Sequence, residues 1–408
     1  MKVRAVAVLA QQFTGALTPY LLCLVLLVLG VRIAAQGVLA PKLDHELPVA
    51  SESRPLEPVA RWDGDWYLAA AIKGYNYKGN EASSVAFFPL FVVLIAVCWQ
   101  KCGFDPAWSA IGISNVALAG VFVLLWSYSG HRSRDTASAA TSWSLLALAT
   151  FPTTFFFGAA YAESLFVFFA VLVLLGIRRN WHLLPLAILA GVCTASRPVG
   201  VAVALPLAWH VWQTSPTAAR AAARLAWVVP LSLWGILAYM LFLHIEFGDA
   251  LAFVHTQDHW RRLPDVGLFG KIGILASAEP IWSHYVPGSS GYWARFDELP
   301  AWQSIEFANP IIFVGAAALI ALGWAKRWLT VYETLFGALV LFIPYVTRSY
   351  EMAMAGHGRF AAAAFPIYLV LGQILARVHW SIAVLIVAVF AFFRVMYTAL
   401  FAAGYPVL

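Results

Sequence analysis

Charge is scarce in this chain. Asp, Glu, Lys and Arg make up 11% of its 408 residues, against 62% hydrophobic ones, whereas soluble domains are about a quarter charged. That shortage excludes an ordinary soluble enzyme. No polar stretch is long enough to hold a separate folded domain. The strict apolar/polar alternation of a membrane β-barrel is missing too. There are only four cysteines, Cys23, Cys98, Cys102 and Cys193. Their spacing fits no zinc motif, and three lie in apolar runs, where they read as small buried hydrophobes. The chain has no basic tract and no nucleic-acid-binding signature. Its formal charge of +6 therefore reads as membrane topology, with no nucleic acid as partner. The basic Met1-Lys2-Val3-Arg4 start is not followed by a small-residue cleavage site, so residues 17–40 read as a retained first span and not a signal peptide.

What the chain has in abundance is apolar runs. A hydrocarbon core needs about 17–25 such residues per helical crossing. Candidates lie at 17–40, 108–130, 138–157, 161–177, 182–196, 198–213, 224–245, 309–325, 330–347, 360–376 and 380–402. The expectation is an all-α, polytopic, integral membrane protein. The run 85–99 is shorter and reads as a helix lying at, or dipping into, the outer interface. Charge supports that choice. Lys2/Arg4, Arg132/Arg134, Arg178/Arg179, Arg220/Arg224, Lys326/Arg327 and Arg377 fall on one side, the cytoplasmic side by the positive-inside rule, only if 85–99 does not cross. The count is then about 11 spans, with the N-terminus inside and the C-terminus outside. The chain reads as one membrane domain over 1–408. Its first outer loop is 41–107 and its large outer loop 246–308; the turn 158–163 and the loop 348–359 share that side.

The unusual chemistry gathers on that face. Arg61-Trp62-Asp63-Gly64-Asp65-Trp66-Tyr67 sets two carboxylates among aromatics beside a bilayer. Asp63 and Asp65 read either as solvated loop acids, with Arg61 at hand as a partner, or as a general base for an acceptor hydroxyl. Trp62, Trp66 and Tyr67 read as interface anchors or as platforms stacking on a sugar. Glu163 opens a helix, where a carboxylate complements the dipole or serves a site. Pro198 should break the helix after Arg197, and a break at membrane depth is tolerated only within protein or beside a cavity. Arg197, Arg348 and Arg359 either snorkel to lipid phosphates or grip a phosphate. The glycines of Gly356-His357-Gly358-Arg359 would let a phosphate approach the backbone. His255 and His259 would share one face of a helix, but no third metal ligand accompanies them.

Taken together and in order, these segments resemble the GPI mannosyltransferase II (PIG-V type) family and its bacterial relatives, within the GT-C superfamily of polyprenyl-phosphate-sugar-dependent glycosyltransferases. RWDGDWYLAAAIKGY with FFPL, FPTTFFFGAAYAESLF, SRPVG and, more weakly, GRFAAAAFPIYL carry the resemblance over residues 61–366. It implies a GT-C-like fold with interfacial helices in the first outer loop. Asp63 would be the catalytic base and Glu163 the second acidic position of the catalytic site, with Asp65 as a helper to Asp63. Arg197 and Arg359 would bind the donor phosphate, joined by His357 and Arg262. The implied partners are a polyprenyl-phosphate sugar donor, a glycolipid, glycan or protein acceptor, and membrane lipids. One departure is Phe360, where relatives carry tyrosine after the arginine. No cofactor is fixed by the resemblance, and a divalent metal ion held by Asp63 and Asp65 stays open. The setting implied is a bacterial inner membrane, or the endoplasmic reticulum of a eukaryote, with the site on the non-cytoplasmic face. The competing reading is a lipid flippase or transporter without transferase activity. That reading calls for midplane charge and an internal repeat, neither of which is evident.

Overall fold

In lipid every backbone N–H and C=O must be satisfied within the segment, which leaves long apolar runs helical. A computed structural model describes residues 2–37, 39, 57–129 and 136–406. Among them there is no strand. The first half contains α1 (Lys2–Ala35), α2 (Asp63–Lys73), α3 (Pro89–Cys102), α4 (Pro106–Ser129), α5 (Thr136–Thr150), α6 (Glu163–Arg178), α7 (Leu183–Ser196) and α8 (Ala204–Thr214). The second half contains α9 (Ala218–Ser232), α10 (Trp234–Phe247), α11 (Ala252–His255), α12 (Gly267–Ala276), α13 (Glu279–Trp282), α14 (Ile305–Ala325), α15 (Val331–Arg348), α16 (His357–Ala363), α17 (Pro366–Leu375) and α18 (Trp380–Ala402). The basic pair Arg132/Arg134 and most of the loop before residue 57 lie outside the described residues.

The described residues hold 5 helices long and apolar enough to cross a membrane: the 15–35 part of α1, α4, α14, α15 and α18. There are up to 7 crossings if each of two bent pairs counts as one, α9 with α10 (53°) and α16 with α17 (77°). The protein thus has the make-up of a multi-pass membrane protein. The runs at 138–157, 161–177 and 182–196 fold as shorter helices of 15, 16 and 14 residues. Residues 198–213 form a 3-10 turn followed by the 11-residue α8. The run 85–99 becomes the 14-residue α3.

The helices pack around one large apolar cluster, with α6 against α4 and α7, α17 along α5, and α1 along α18. One buried charge sits inside it. Arg394 of α18 donates to the carbonyls of Ala149 and Cys23 (3.2 Å to Cys23) and contacts the Cys23 sulfur at 2.9 Å. Ala149 lies in the last turn of α5, where carbonyls lack helical donors, so the arginine closes that helix end. Cys23 and Cys193 are buried as small apolar residues, Cys98 is half-buried and Cys102 is exposed. Outside the cluster, the apolar α12 has no buried residue. At the bend between α9 and α10, Trp227, Leu231, Trp234 and Leu237 line an open apolar groove of about 620 Å³.

Two ends can be told apart. Glu163 begins α6 and Arg178 finishes it, whereas Arg197 follows the C-terminus of α7 yet pairs with Glu163. The two helices are therefore antiparallel. Arg377 lies over the Trp328 ring at 4.7 Å, beside Lys326 and Arg327 after α14. Arg178 donates to the Tyr128 carbonyl at 2.7 Å, and the Tyr128 hydroxyl donates to Glu333 in the first turn of α15 at 2.6 Å, so Arg178 and the basic group after α14 share the end opposite Glu163 and Arg197.

Candidate functional site

Four chain segments bring four charged side chains to one point. The first is the start of α2. The Leu68–Lys73 half of α2, with three alanines, is a good helix former, whereas the Asp-Gly-Asp start is not. Burial adds to it, because Tyr67, Leu68, Ala70 and Ala71 make one face that packs beside α3 and α4. Trp62, just ahead of Asp63, has φ 61 and ψ −116. A non-glycine residue held in such a region costs about 1–3 kcal/mol. The strain is thus stored next to Asp63.

The second segment is the turn that delivers Glu163. Pro152 ends α5, and a 3-10 turn over Pro152–Phe157 leads into it. Residues of α4 fasten the turn. Asn115 donates to the Gly158 carbonyl at 3.0 Å, Ser114 donates to the Tyr161 carbonyl at 2.8 Å, and Ser164 donates back to the Ser114 carbonyl at 2.8 Å. Glu163 is the first residue of α6, as expected, and is 1% exposed.

The third is the break after α7. Pro198 drives Arg197 into the extended region (φ −158, ψ 151), so the helix stops there. Gly200 completes the bend. A Cβ on it would lie 2.2 Å from the Cys193 carbonyl oxygen, so only glycine fits. The fourth is Gly356-His357-Gly358-Arg359. The left-handed Gly356 (φ 76) opens α16, and Arg359 follows within its first turn.

The charges form a chain. Arg359 Nη1 lies 2.5 Å from Asp63 Oδ2, and its Nε lies 3.3 Å from Glu163 Oε1. Arg197 Nη1 pairs with the same Glu163 oxygen. Phe360 packs between the arginines, with its ring centroid 5.7 Å from the Arg197 guanidinium carbon and 5.6 Å from that of Arg359. The ring thus lies beside both cations. Arg359 also faces Tyr161, at 5.6 Å, whose hydroxyl donates to the Arg61 carbonyl at 3.1 Å. Burial separates the two acids. Asp63 keeps 25% of its side chain exposed, whereas Glu163 is sealed between two guanidiniums. Asp63 is the more accessible of the two carboxylates, and Glu163 holds both cations.

Other expected residues lie elsewhere. Asp65 stands in the first turn of α2, but residues two apart on a helix point about 200° from one another. The two acids therefore do not face one ion. Arg262 pairs with Glu306 at 2.9 Å and lies 4.8 Å from the Phe296 ring, in a second ion pair of the large loop. His357 is buried against Phe313 and Phe360, with Nδ1 directed to the carbonyls of Met354 (3.0 Å) and Ala355 (3.3 Å). The Gly358 N–H donates to Asn309 Oδ1 at 2.9 Å, and its carbonyl accepts from Thr153 at 2.8 Å. That glycine makes room for Asn309, so its backbone is not open to a phosphate. Trp66 is half-buried, stacked on Phe87 at 5.8 Å and edge-on to Trp260. The Tyr67 ring is wedged between Phe87 and Phe91 and offers no free face to a sugar.

The Tyr67 hydroxyl is another matter. Its electrostatic neighbours are Arg197, Glu163, Asp63 and Arg359, and it has no hydrogen-bond partner among the described residues. Burial pushes the phenol well above its ordinary pKa against the pull of Arg197, so it is a protonated donor. The imagined helical pair of His255 and His259 is broken. α11 stops at His255, a 3-10 turn follows, His255 pairs with Asp249 at 2.7 Å, and His259 meets the Gly79 carbonyl at 3.2 Å. Among the described residues no group of three or more His, Cys, Asp or Glu is placed to hold a metal.

Arg348, read from the sequence as snorkelling to lipid phosphates or gripping a phosphate, joins the cluster. It is the last residue of α15, which packs on α16 and on the 3-10 turn after Arg197. Its electrostatic neighbours are Arg359, Asp63, Arg197 and Glu351. The sequence signal was its place opposite Arg359 across a short polar loop. Comparisons with protein-family models, with curated proteins and with solved structures find no match for this chain.

Proposed function

We propose that this chain is a membrane glycosyltransferase, a GT-C-type enzyme that moves a sugar from a polyprenyl phosphate to an acceptor hydroxyl. The carrying observation is the convergence of Asp63, Arg359, Glu163 and Arg197, with Asp63 the more exposed of the two acids. The resemblance of these same segments to PIG-V type enzymes favours mannose as the sugar and a glycolipid, glycan or protein as acceptor.

The chemistry follows from the charges. Asp63 takes the acceptor proton as the acceptor oxygen attacks the anomeric carbon from the face opposite the phosphate. The new C–O bond forms while the bond from that carbon to the phosphate oxygen breaks. The electron pair leaves with the lipid phosphomonoester, and the anomeric centre inverts. Such a leaving group is already a stable anion and needs cations more than an acid. Arg359 and Arg197 supply them, and preorganised charge of this kind is often the largest catalytic contribution. Tyr67 adds a hydroxyl donor on the same side.

Topology supports the same reading. Counting the bent pairs and the four short helices α5 to α8 as crossings gives about 11. The described basic connections then lie in the cytoplasm, and the site faces the other, non-cytoplasmic side of the membrane. The 16 residues of α6 extend only about 24 Å through a core of about 30 Å. Glu163 then sits a few ångströms below the outer surface, where charges must be paired. The test is transfer of radiolabelled mannose from polyprenyl-phosphate mannose in membranes holding the wild type or Asp63→Asn. The proposal stands if a labelled product forms with the wild type alone. It falls if Asp63→Asn transfers at the wild-type rate, or if neither moves label from any polyprenyl-phosphate sugar.

A further inference from the structure

The cations of the site are unequally engaged. Arg359 is shared between Asp63 and Glu163, and Arg197 is paired with Glu163. Arg348 is half-buried beside them, and no carboxylate lies within ion-pair reach of it among the described residues. Glu351, the other acid among its electrostatic neighbours, is held by Lys271, with Arg261 at 3.7 Å. The site therefore sets three guanidiniums against two carboxylates and carries an unmet demand for negative charge. It is also closed in one respect: the carboxylate suited to act as base is covered by Arg359.

We propose that Arg348 is the receiving cation for a phosphoanion, and that the bound anion draws Arg359 off Asp63 and so uncovers that carboxylate. A phosphate brings more charge and more acceptor oxygens than a carboxylate, and guanidinium groups match it with paired N–H donors. Arg348 and Arg359 flank one short loop, and both belong to elements that touch each other. An anion held by the first lies beside the second. Glu163 stays with Arg197 throughout, so the exchange moves one ion pair and leaves the other as its fixed point. Asp63 then becomes available only once a phosphoanion is in place, which keeps the base from acting before the donor arrives. Only this last consequence, and the assignment of the anion to a sugar donor, rests on the transferase reading.

The experiment measures binding, with no sugar present, by calorimetry on the full-length protein in lipid nanodiscs. The probes are a short polyprenyl monophosphate, the matching polyprenol and inorganic phosphate. Arg348→Gln should weaken binding of the monophosphate by about 10- to 100-fold, the usual worth of one charge-assisted contact. Arg348→Lys, which keeps the charge and loses the fork, should fall between. Folding should survive both, since Arg348 faces two other arginines and leaves no carboxylate unpaired. Asp63→Asn, which frees Arg359 in advance, should tighten binding by about tenfold. Polyprenol should not bind in competition. Inorganic phosphate competing as well as the lipid would identify a soluble anion, and its failure to compete a lipid one; either supports the site. Wild-type affinity in Arg348→Gln, or unchanged or weakened affinity in Asp63→Asn, overturns the proposal. Because no transfer is read, a failure of the glycosyltransferase assignment leaves this result standing, and the reverse also holds.

Discussion

In Glu163→Gln the side-chain volume is kept and the charge removed. Arg197, 12% exposed, then has no carboxylate partner, whereas Arg359 keeps Asp63 at 2.5 Å. Removing one partner of a buried ion pair costs about 3–5 kcal/mol. The amide still offers an oxygen to Arg197, and the Phe360 ring still lies beside that guanidinium, so a loss of about 2–4 kcal/mol is expected. Asp63→Asn should lose less. Asp63 is a quarter exposed, and Arg359 retains Glu163 at 3.3 Å. A thiol-reactive fluorogenic dye during thermal unfolding in detergent suits the comparison, because Cys23 and Cys193 are buried and become reactive only as the helices separate. Glu163→Gln should melt well below the wild type, and Asp63→Asn close to it. The opposite ranking, or a wild-type melt for Glu163→Gln, would refute the division into an organising acid and a reactive one.

Other outcomes follow from single contacts. Burial and the neighbouring Arg262 hold His284 below its ordinary pKa, so at low pH the unfolded chain binds a proton that the fold refuses. Stability should fall as pH drops below about 6.5, and His284→Gln should flatten that slope in pH-dependent melts. Gly358→Ala would place a Cβ 2.8 Å from Asn309 Oδ1 and should lower stability by about 1–3 kcal/mol, seen as a lower melting temperature with Arg359 still present. Because Asp63 and Asp65 point apart on α2, a chelator should leave transfer unchanged; loss with EDTA and rescue by one divalent ion would contradict that arrangement.

Much of the site was legible where a local rule acts. Pro198 ends α7 whatever surrounds it, and Glu163 suits a helix start, so both were readable from neighbouring residues alone. The pairing of Asp63 with Arg359 was not, since 296 positions separate them and no periodicity encodes a partner that distant. Asp63 had a nearer partner in the sequence, Arg61, and the fold chose the remote one. The start of α2 at Asp63 was also hidden, because Asp63, Gly64 and Asp65 propagate a helix poorly and the burial of Tyr67 and Leu68 is a tertiary effect. The two histidines misled in the reverse way. Their spacing presumes a continuous α-helix, and the switch to a 3-10 turn at Thr256 moves His259 off that face. Gly358 was read as space for a ligand, whereas Asn309 and Thr153 already fill it. Apolar length overstated several helices, since α5 to α8 are cut short by Pro152, Pro198 and polar turns at their ends.

The anomeric configuration of the product bears most directly on the central claim. Purified protein would be given a polyprenyl-phosphate sugar of known anomeric configuration, and the product of a single turnover read by NMR. The account requires a product of inverted configuration. It also requires Asp63→Asn to be slower by about 10²–10⁴-fold, the usual worth of a positioned general base, while remaining folded. Retained configuration, or inversion at full rate without the Asp63 carboxylate, would contradict it.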